Sequence, residues 1–393
     1  MDHGSAILLS LFVVFVAAQI GAEAAQRIRL PGVVGEIVAG CLVGPSVLGW
    51  VQPAESLDVL AEIGVVLLLF SVGLETRLDE MKRVGRSAVL VGVLGVIVPF
   101  VLGALWAHGS GYEWAQSMFI AAAFVATSAG ITARVLQQLG ALQREESRVI
   151  LGAAVIDDIL AMLLLGVVTA LQSGGSLQIG HLALVLGEAI GFVVVIAMVG
   201  TRVAKRSSRL LEAPINPLSP LTIVLALCLG LAFLSTQFGL AAIIGAFLAG
   251  MIASETKQRE SLEHQTQPLL ALMTPFFFVV TGTKVEIAQL ADAPTLGVLA
   301  LITAIAIASK LIGGFLGALS LGKRAALIVG VGMIPRGEVG VVVASLGFAA
   351  GVFSPRVYAL IVAMSLLTAI ITPPFLAILL RPAKTSAPAA RKE

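Results

Sequence analysis

Three observations predict an all-α polytopic membrane protein with thirteen transmembrane helices, built as two inverted five-helix repeats with broken crossing helices. Of 393 residues, 58% are hydrophobic and 12% charged, and the mean hydropathy is +1.02. A water-soluble fold has no way to cover that much apolar surface. Apolar runs of bilayer length alternate with short basic loops, and a block near residue 33 recurs near residue 243. Forty-one glycines and only 6% aromatic residues suit helices whose backbones approach closely.

The apolar runs give spans at about 5–25, 31–49, 57–75, 87–107, 115–138, 147–171, 180–203, 217–236, 239–254, 265–283, 294–320, 324–350 and 355–380. The first has no basic segment before it, and Arg27 and Arg29 follow it, so it reads as a retained span and not a cleaved leader. Basic residues then cluster on one side. They are Arg77, Lys82, Arg83 and Arg86; Arg144 and Arg148; Lys205, Arg206 and Arg209; Lys257 and Arg259; Lys323 and Arg324; and Arg381, Lys384, Arg391 and Lys392. Basic loops stay inside, so the N-terminus is expected outside and the C-terminus in the cytoplasm, with anionic membrane lipid a partner of the basic side. Lys284 and Arg356 break the pattern. Residues 381–393 read as a short, unordered cytoplasmic tail.

Cys41 and Cys228 lie in apolar stretches, where small buried thiols are expected and no disulfide. His3, His108, His181 and His264 sit near span ends without ligand spacing. No cofactor, resident metal cluster or nucleic-acid partner is expected.

Segment 33–40, VVGEIVAG, recurs loosely at 243–250 as IIGAFLAG. Downstream, Phe70 to Leu74 matches Val279 to Thr283, and Gly130 with Leu139-Gly140 matches Gly337 with Leu346-Gly347. The second copy begins seven spans after the first, an odd number, so the two copies face opposite ways. Spans 2–6 and 9–13 thus form inverted repeats, the architecture of secondary transporters, whose sites lie mid-membrane where broken helices cross. The breaks are legible at equivalent places. Span 5 holds Ala126-Thr127-Ser128-Ala129-Gly130-Ile131-Thr132, and span 12 holds Pro335-Arg336-Gly337-Glu338. Proline removes a backbone donor and glycine eases unwinding, so carbonyls and half-helix ends become available to a cation.

Asp157 and Asp158 are adjacent inside the sixth apolar run. Each central Asp costs about 2.5–3.5 kcal/mol on insertion scales, against about 0.3–0.6 returned by each Leu, Ile or Val. So expensive a pair marks an ion or proton pathway. Successive helical residues point about 100° apart, so the two carboxylates divide their partners. Arg336 and Glu338 at the second break read as a structural charge pair compensating half-helix dipoles. Glu36 and Glu188 read as interfacial or packing residues, and Arg134 as a snorkelling one.

Ala154-Val155-Ile156-Asp157-Asp158, Ala126 to Thr132, Lys310 and Pro335 to Gly340 together resemble the monovalent cation/proton antiporter superfamily, and within it the paired-aspartate bacterial sodium/proton antiporters. The resemblance covers about residues 5–380. It implies a homodimer in the bacterial inner membrane. Each protomer would have a core domain of spans 4–6 and 11–13 (about 87–171 and 294–380), a dimer domain of spans 1–3 and 8–10 (about 5–75 and 217–283), and a linker span at about 180–203. It also implies that Asp158 is the main cation ligand, that Asp157 pairs with Lys310, and that Thr127 and Ser128 stand beside the site. Position 157 is Asp where the electroneutral branch has Asn, and no soluble regulatory domain is expected after residue 380.

Exchange of cytoplasmic Na+ or Li+ for external H+ by alternating access, electrogenic and not enzymatic, is the expected function. Sodium takes oxygen ligands, which Asp158, Thr127, Ser128 and unwound carbonyls supply, and Lys310 is a candidate second proton carrier. Potassium/proton exchange and a sodium-coupled symporter for an organic solute are the alternatives. A passive channel fits poorly with a fixed carboxylate pair.

Overall fold

The computed structural model describes residues 3–172, 179–206, 219–284, 290, 292–336 and 338–380, and all regular structure among them is helical. The expected tail, 381–393, lies outside the described residues. Helices α1 (His3–Arg27), α2 (Gly32–Val43) and α3 (Glu55–Leu74) are followed by α4 (Leu78–Gly109), α5 (Trp114–Val125), α6 (Ala129–Gln138) and α7 (Glu145–Gln172). Next, α8 (Ile179–Val195) runs through a π-turn, Ile196–Gly200, into α9 (Thr201–Arg206). Then come α10 (Ser219–Gln237), α11 (Ala242–Ser254), α12 (Arg259–Thr283), α13 (Ala293–Gly317), α14 (Lys323–Gly332), α15 (Glu338–Ala349) and α16 (Pro355–Leu380).

Among the described residues nine helical stretches are long and apolar enough to cross a bilayer, and α2 and α11 are shorter apolar helices. Their outward faces carry Leu8, Phe12, Ile20, Leu105, Phe233 and Ile378, each at least 60% exposed. An apolar belt of that extent has no stable place in water and is covered by lipid. The protein is a multi-pass membrane protein.

The helices pack as two groups. In one, α3 packs on α11 and α12, while α2 lies between α1 and α12, and α10 covers α11. Close approach here depends on glycine. A Cβ on Gly40 would strike the Val279 carbonyl and one on Gly282 the Ile37 carbonyl; Gly73 and Gly250 stand in the same relation to the Phe247 and Phe70 carbonyls. In the other group, α4 is embraced by α5, α7 and α13, with α14, α15 and α16 completing it. Short α6 bridges the groups, touching α2 and α3 on one side and α7 and α16 on the other.

Local chemistry fixes the ends. Asp292 caps α13 by accepting from the Thr295 amide at 3.0 Å and its hydroxyl at 2.7 Å, with proline in the first turn, where a missing N–H costs nothing. Gly140 ends the turn after α6 at φ +61°, a conformation that side-chain-bearing residues rarely adopt. The two basic residues that break the charge pattern are both partnered. Lys284 Nζ lies 2.9 Å from Asp58 Oδ1, and Arg356 lies 3.6 Å from Asp292 Oδ2 and also reaches the Thr295 hydroxyl.

Candidate ion-binding site

Two interrupted helical stretches meet at the centre of the molecule. The first stops at Val125 and restarts at Ala129, leaving Ala126, Thr127 and Ser128 outside helical structure. The second stops at Gly332 and restarts at Glu338. The restart of α6 has no side-chain N-cap at Ser128. Instead the chains bind each other. Ser128 donates its backbone N–H to the Pro335 carbonyl at 2.7 Å, and Thr132 Oγ1 donates to the Gly332 carbonyl at 2.7 Å.

Arg336 is fully buried at this crossing. Its Nε and Nη2 donate to the Phe124 carbonyl at 3.1 and 2.8 Å, Nη1 to Ile334 at 3.0 Å, and Nη2 also to Ala306 on α13 at 2.9 Å. The last carbonyls of a half-helix have no intrahelical partner and carry the negative end of its dipole. One guanidinium therefore satisfies the end of α5, the segment after α14 and a carbonyl on α13. The Arg336 amide donates to Thr368 Oγ1 at 3.1 Å, tying the same break to α16. The Glu338 side chain and Gly337 lie outside the described residues, so the expected Arg336–Glu338 pair is not part of this picture.

Beside the crossing, the middle of α7 presents both aspartates, Asp157 at 0% and Asp158 at 5% exposure. They point apart, as the helical step requires. Lys310, the sole basic residue of α13 and fully buried, donates from Nζ to Asp157 Oδ1 at 2.8 Å. The pair is roofed by α4, where Gly95 makes room: a Cβ there would lie 3.5 Å from Asp157 Oδ1 and 3.7 Å from Lys310 Nζ. Asp157 Oδ2 and Thr127 Oγ1 are each buried without a hydrogen bond of good geometry. The Thr127 hydroxyl nonetheless acts on the Asp157 carboxylate, as does the Arg336 charge.

Asp158 faces the other way, into a crevice of about 10 Å3 lined by Leu69 of α3, Ala129 of α6, Ala154 and Val155 of α7, and Ile243, Ile244 and Phe247 of α11. It stands at the seam between the two helix groups. Ionised together, Asp157, Asp158, Lys310 and Arg336 sum to zero charge, so the buried arrangement is tolerable only as a set. Any added cation unbalances it unless a proton departs.

Asp157, Asp158, Thr127, Ser128, Lys310 and Arg336 thus gather from α7, α13 and the two breaks. Thr132, part of the span 5 break in the sequence, also belongs to the site, as do Gly95, Thr368 and the carbonyls of Phe124, Ala306 and Ile334, which sequence reasoning did not find. Of these, Gly95 alone left a trace, as one of two glycines three apart, Gly92 and Gly95, on α4. Glu188 is exposed on α8, whereas Glu36 is 4% exposed inside α2. Among the described residues no three His, Cys, Asp or Glu side chains group as metal ligands.

Comparison with known proteins gives the family and the fold. Residues 10–381 match the family model described as sodium/hydrogen exchanger, transmembrane. The chain belongs to the sodium/hydrogen exchanger family. Within the family, it is 36% identical to the high-affinity Na+/H+ antiporter NhaS3 of Synechocystis sp., the alignment covering 94% of this chain and 89% of that protein. It is 32% identical to the Na+/H+-K+ antiporter GerN of Bacillus cereus, over 93% of this chain and 94% of that one. The solved sodium proton antiporter MjNhaP1 from Methanocaldococcus jannaschii superposes with a TM-score of 0.72, covering 96% of this chain and 98% of that chain at 18% identity. That likeness establishes the shared fold.

Proposed function

We propose that this family member is a sodium/proton antiporter that exchanges cytoplasmic Na+ or Li+ for external H+ across a bacterial inner membrane. The observation that carries the reading is a buried Lys310–Asp157 pair beside Asp158, at the point where two interrupted helices cross.

In this reading Asp158 is the carboxylate for which sodium and protons compete, with Thr127, Ser128 and exposed carbonyls as further oxygen ligands. Asp157 and Lys310 act as one unit. With a proton on Asp158 the set carries one positive charge; an arriving cation displaces that proton, and loss of a second proton from Lys310 returns the set to neutrality while Asp157 remains charged beside it. Two protons then leave for one sodium bound, so each cycle carries net charge.

The two helix groups are the natural moving parts. We assign α4–α7 and α13–α16 to a core domain that carries the ion, and α1–α3 with α10–α12 to a dimer domain, in a homodimer with N-termini outside and C-termini in the cytoplasm. Thirteen spans and an inverted repeat fit the helix order when the α5/α6 and α14/α15 pairs each count as one broken span. Matched glycine crossings support the repeat: exchanging the two copies turns the Gly40–Gly282 crossing into the Gly250–Gly73 crossing. The α1·α2 contact at Gly21 and Gly35 has its counterpart at Leu231 and Gly245, which favours extending each copy by one helix.

A second reading, potassium/proton exchange, is favoured by the similarity to GerN, named as a Na+/H+-K+ antiporter. Purified protein in liposomes, given an outward gradient of Na+, Li+ or K+ in turn, separates the two. Sodium- and lithium-driven proton movement with a weak response to potassium is expected; potassium as the preferred ion would overturn the sodium assignment.

A further inference from the structure

Glu36 is a carboxylic acid in the second turn of α2, 4% exposed, with Oε2 buried and without any hydrogen-bond partner. Facing it from α6 is Arg134, whose Nε is likewise buried and unpartnered, while Nη1 makes only a 3.4 Å bond to Gln137 Oε1. The two charges act on each other, yet no hydrogen bond joins Oε2 to Nε. Opposite charges left near each other in an apolar interior, each missing a bond that the other would supply, are costly. The cost falls if Glu36 binds a proton, or if α6 moves to close the pair.

The surroundings fit a proton reaching this spot. Helical steps of four place Gly32 above Glu36 and Gln138 above Arg134, on the same seam. There, Gln26, Arg29, Gly32, Gln138 and Ala377 line a cavity of about 340 Å3. No side chain closes it at Gly32, where a Cβ would press against the Gln26 amide at 3.0 Å and touch that of Gln138 at 3.5 Å. Charged groups on the other elements packed against α2 are Glu23 and Arg27 of α1, Arg259, Glu260, Glu263 and His264 of α12, and Arg356 at the far end of α16. Among the described residues, Arg134 alone acts on the Glu36 carboxylate. Glu23 and Arg27 pair with each other at 3.0 Å, and Arg259 pairs with Glu263 at 2.6 Å.

We infer that Glu36 is a second proton-binding site, separate from the transported-ion site, and that its protonation state controls whether Arg134 draws α6 against α2. The inference rests on the proposed orientation, which puts this seam on the cytoplasmic side. Helix α2 belongs to one helix group, whereas α6 also packs on α7, the helix that carries Asp158. A proton on Glu36 frees α6; its loss ties the groups together. Cytoplasmic pH would then set how readily the seam opens, apart from any competition between protons and sodium at Asp158.

The test reads the seam and transport separately. In full-length protein with Cys41 and Cys228 replaced by alanine, Gln138→Cys is labelled by a membrane-impermeant maleimide in inside-out vesicles across the neutral pH range, with rates normalised to the same protein unfolded. With Glu36 present, labelling should fall several-fold as the pH rises; with Glu36→Gln it should stay fast and flat, and Glu36→Asp should restore the fall. If Glu36→Gln does not fold, Arg134→Gln should give the same flat profile. A pH dependence that persists unchanged in these variants overturns the inference. In parallel, Glu36→Gln should alter the dependence of ion-driven flux on cytoplasmic pH and leave that on external pH intact. Should the chain prove not to exchange sodium for protons, this flux is silent in every variant while the labelling result still decides the role of Glu36.

Discussion

Ser128 and Pro335 lie in two different interrupted helices, and the amide of one donates to the carbonyl of the other at 2.7 Å. This bond joins the two helix breaks directly, so neither can wind up without releasing the other. Arg336 reinforces the junction from the side by donating to Phe124, Ile334 and Ala306. Between them they hold open a stretch of backbone that an apolar surrounding would otherwise force into helix.

Asp158→Asn should abolish ion-driven proton movement in proteoliposomes while leaving the protein folded. The amide preserves volume but supplies neither the charge nor the exchangeable proton. Substantial residual exchange by the purified variant would remove Asp158 from the site.

Lys310→Gln leaves Asp157 buried without its cation, and loss of one member of such a pair costs about 3–5 kcal/mol. A clear drop in thermal midpoint is expected, largely recovered in Asp157→Asn/Lys310→Gln, where no unpaired charge remains. Net charge movement should be lost as well. Wild-type flux should respond to an imposed potential, at about 2.3 kcal/mol per charge per 100 mV, and the Lys310→Gln variant should be slower and voltage-insensitive. An unchanged voltage response would assign Lys310 a purely structural part.

Arg336→Lys should behave as a loss, not as a conservative change. An ammonium is a compact point charge and has no planar fork to span carbonyls on three segments. Stability measured by thermal shift in detergent should fall by about 2 kcal/mol or more, since buried acceptors are left unmet.

Asp292 gives a prediction in pH. Hydrogen bonds from the Thr295 hydroxyl and amide hold its carboxyl below the ordinary range. The folded pKa is the lower one, so the cap contributes above the unfolded value of about 3.9 and is lost as the pH falls through the folded value. Thermal midpoints of the wild type and Asp292→Ala should therefore differ at neutral pH and converge in acid.

Much of the site was legible because charge inside an apolar run is expensive and rarely present without cause. That logic found Asp157 and Asp158, the family resemblance pointed to Lys310, and the clustering of proline, glycine and hydroxyl residues found both interruptions. It failed where the partner is a backbone carbonyl. Nothing in the residues around Phe124 or Ala306 announces that their oxygens accept from Arg336, because every residue type offers the same carbonyl. It failed again at Glu36, read as packing because no motif surrounds it. Its unmet oxygen and its relation to Arg134 arise only when α2 and α6 are brought together. Lys284 and Arg356 looked like violations of the charge pattern for a similar reason: their partners, Asp58 and Asp292, lie 226 and 64 positions away in sequence.

The crevice at Asp158, about 10 Å3, sits at the lower limit for one water, which needs about 10–15 Å3 on the same measure. A hydrated ion needs more. If Asp158 takes the cation, as proposed, each visit must be preceded by swelling of the seam between Phe247, Ile244 and Ala129. Lateral pressure and hydrostatic compression both oppose it. On that reading exchange should depend on the physical state of the lipid as well as on the ion gradients, and a stiffer or more tightly packed membrane should act on it as a brake.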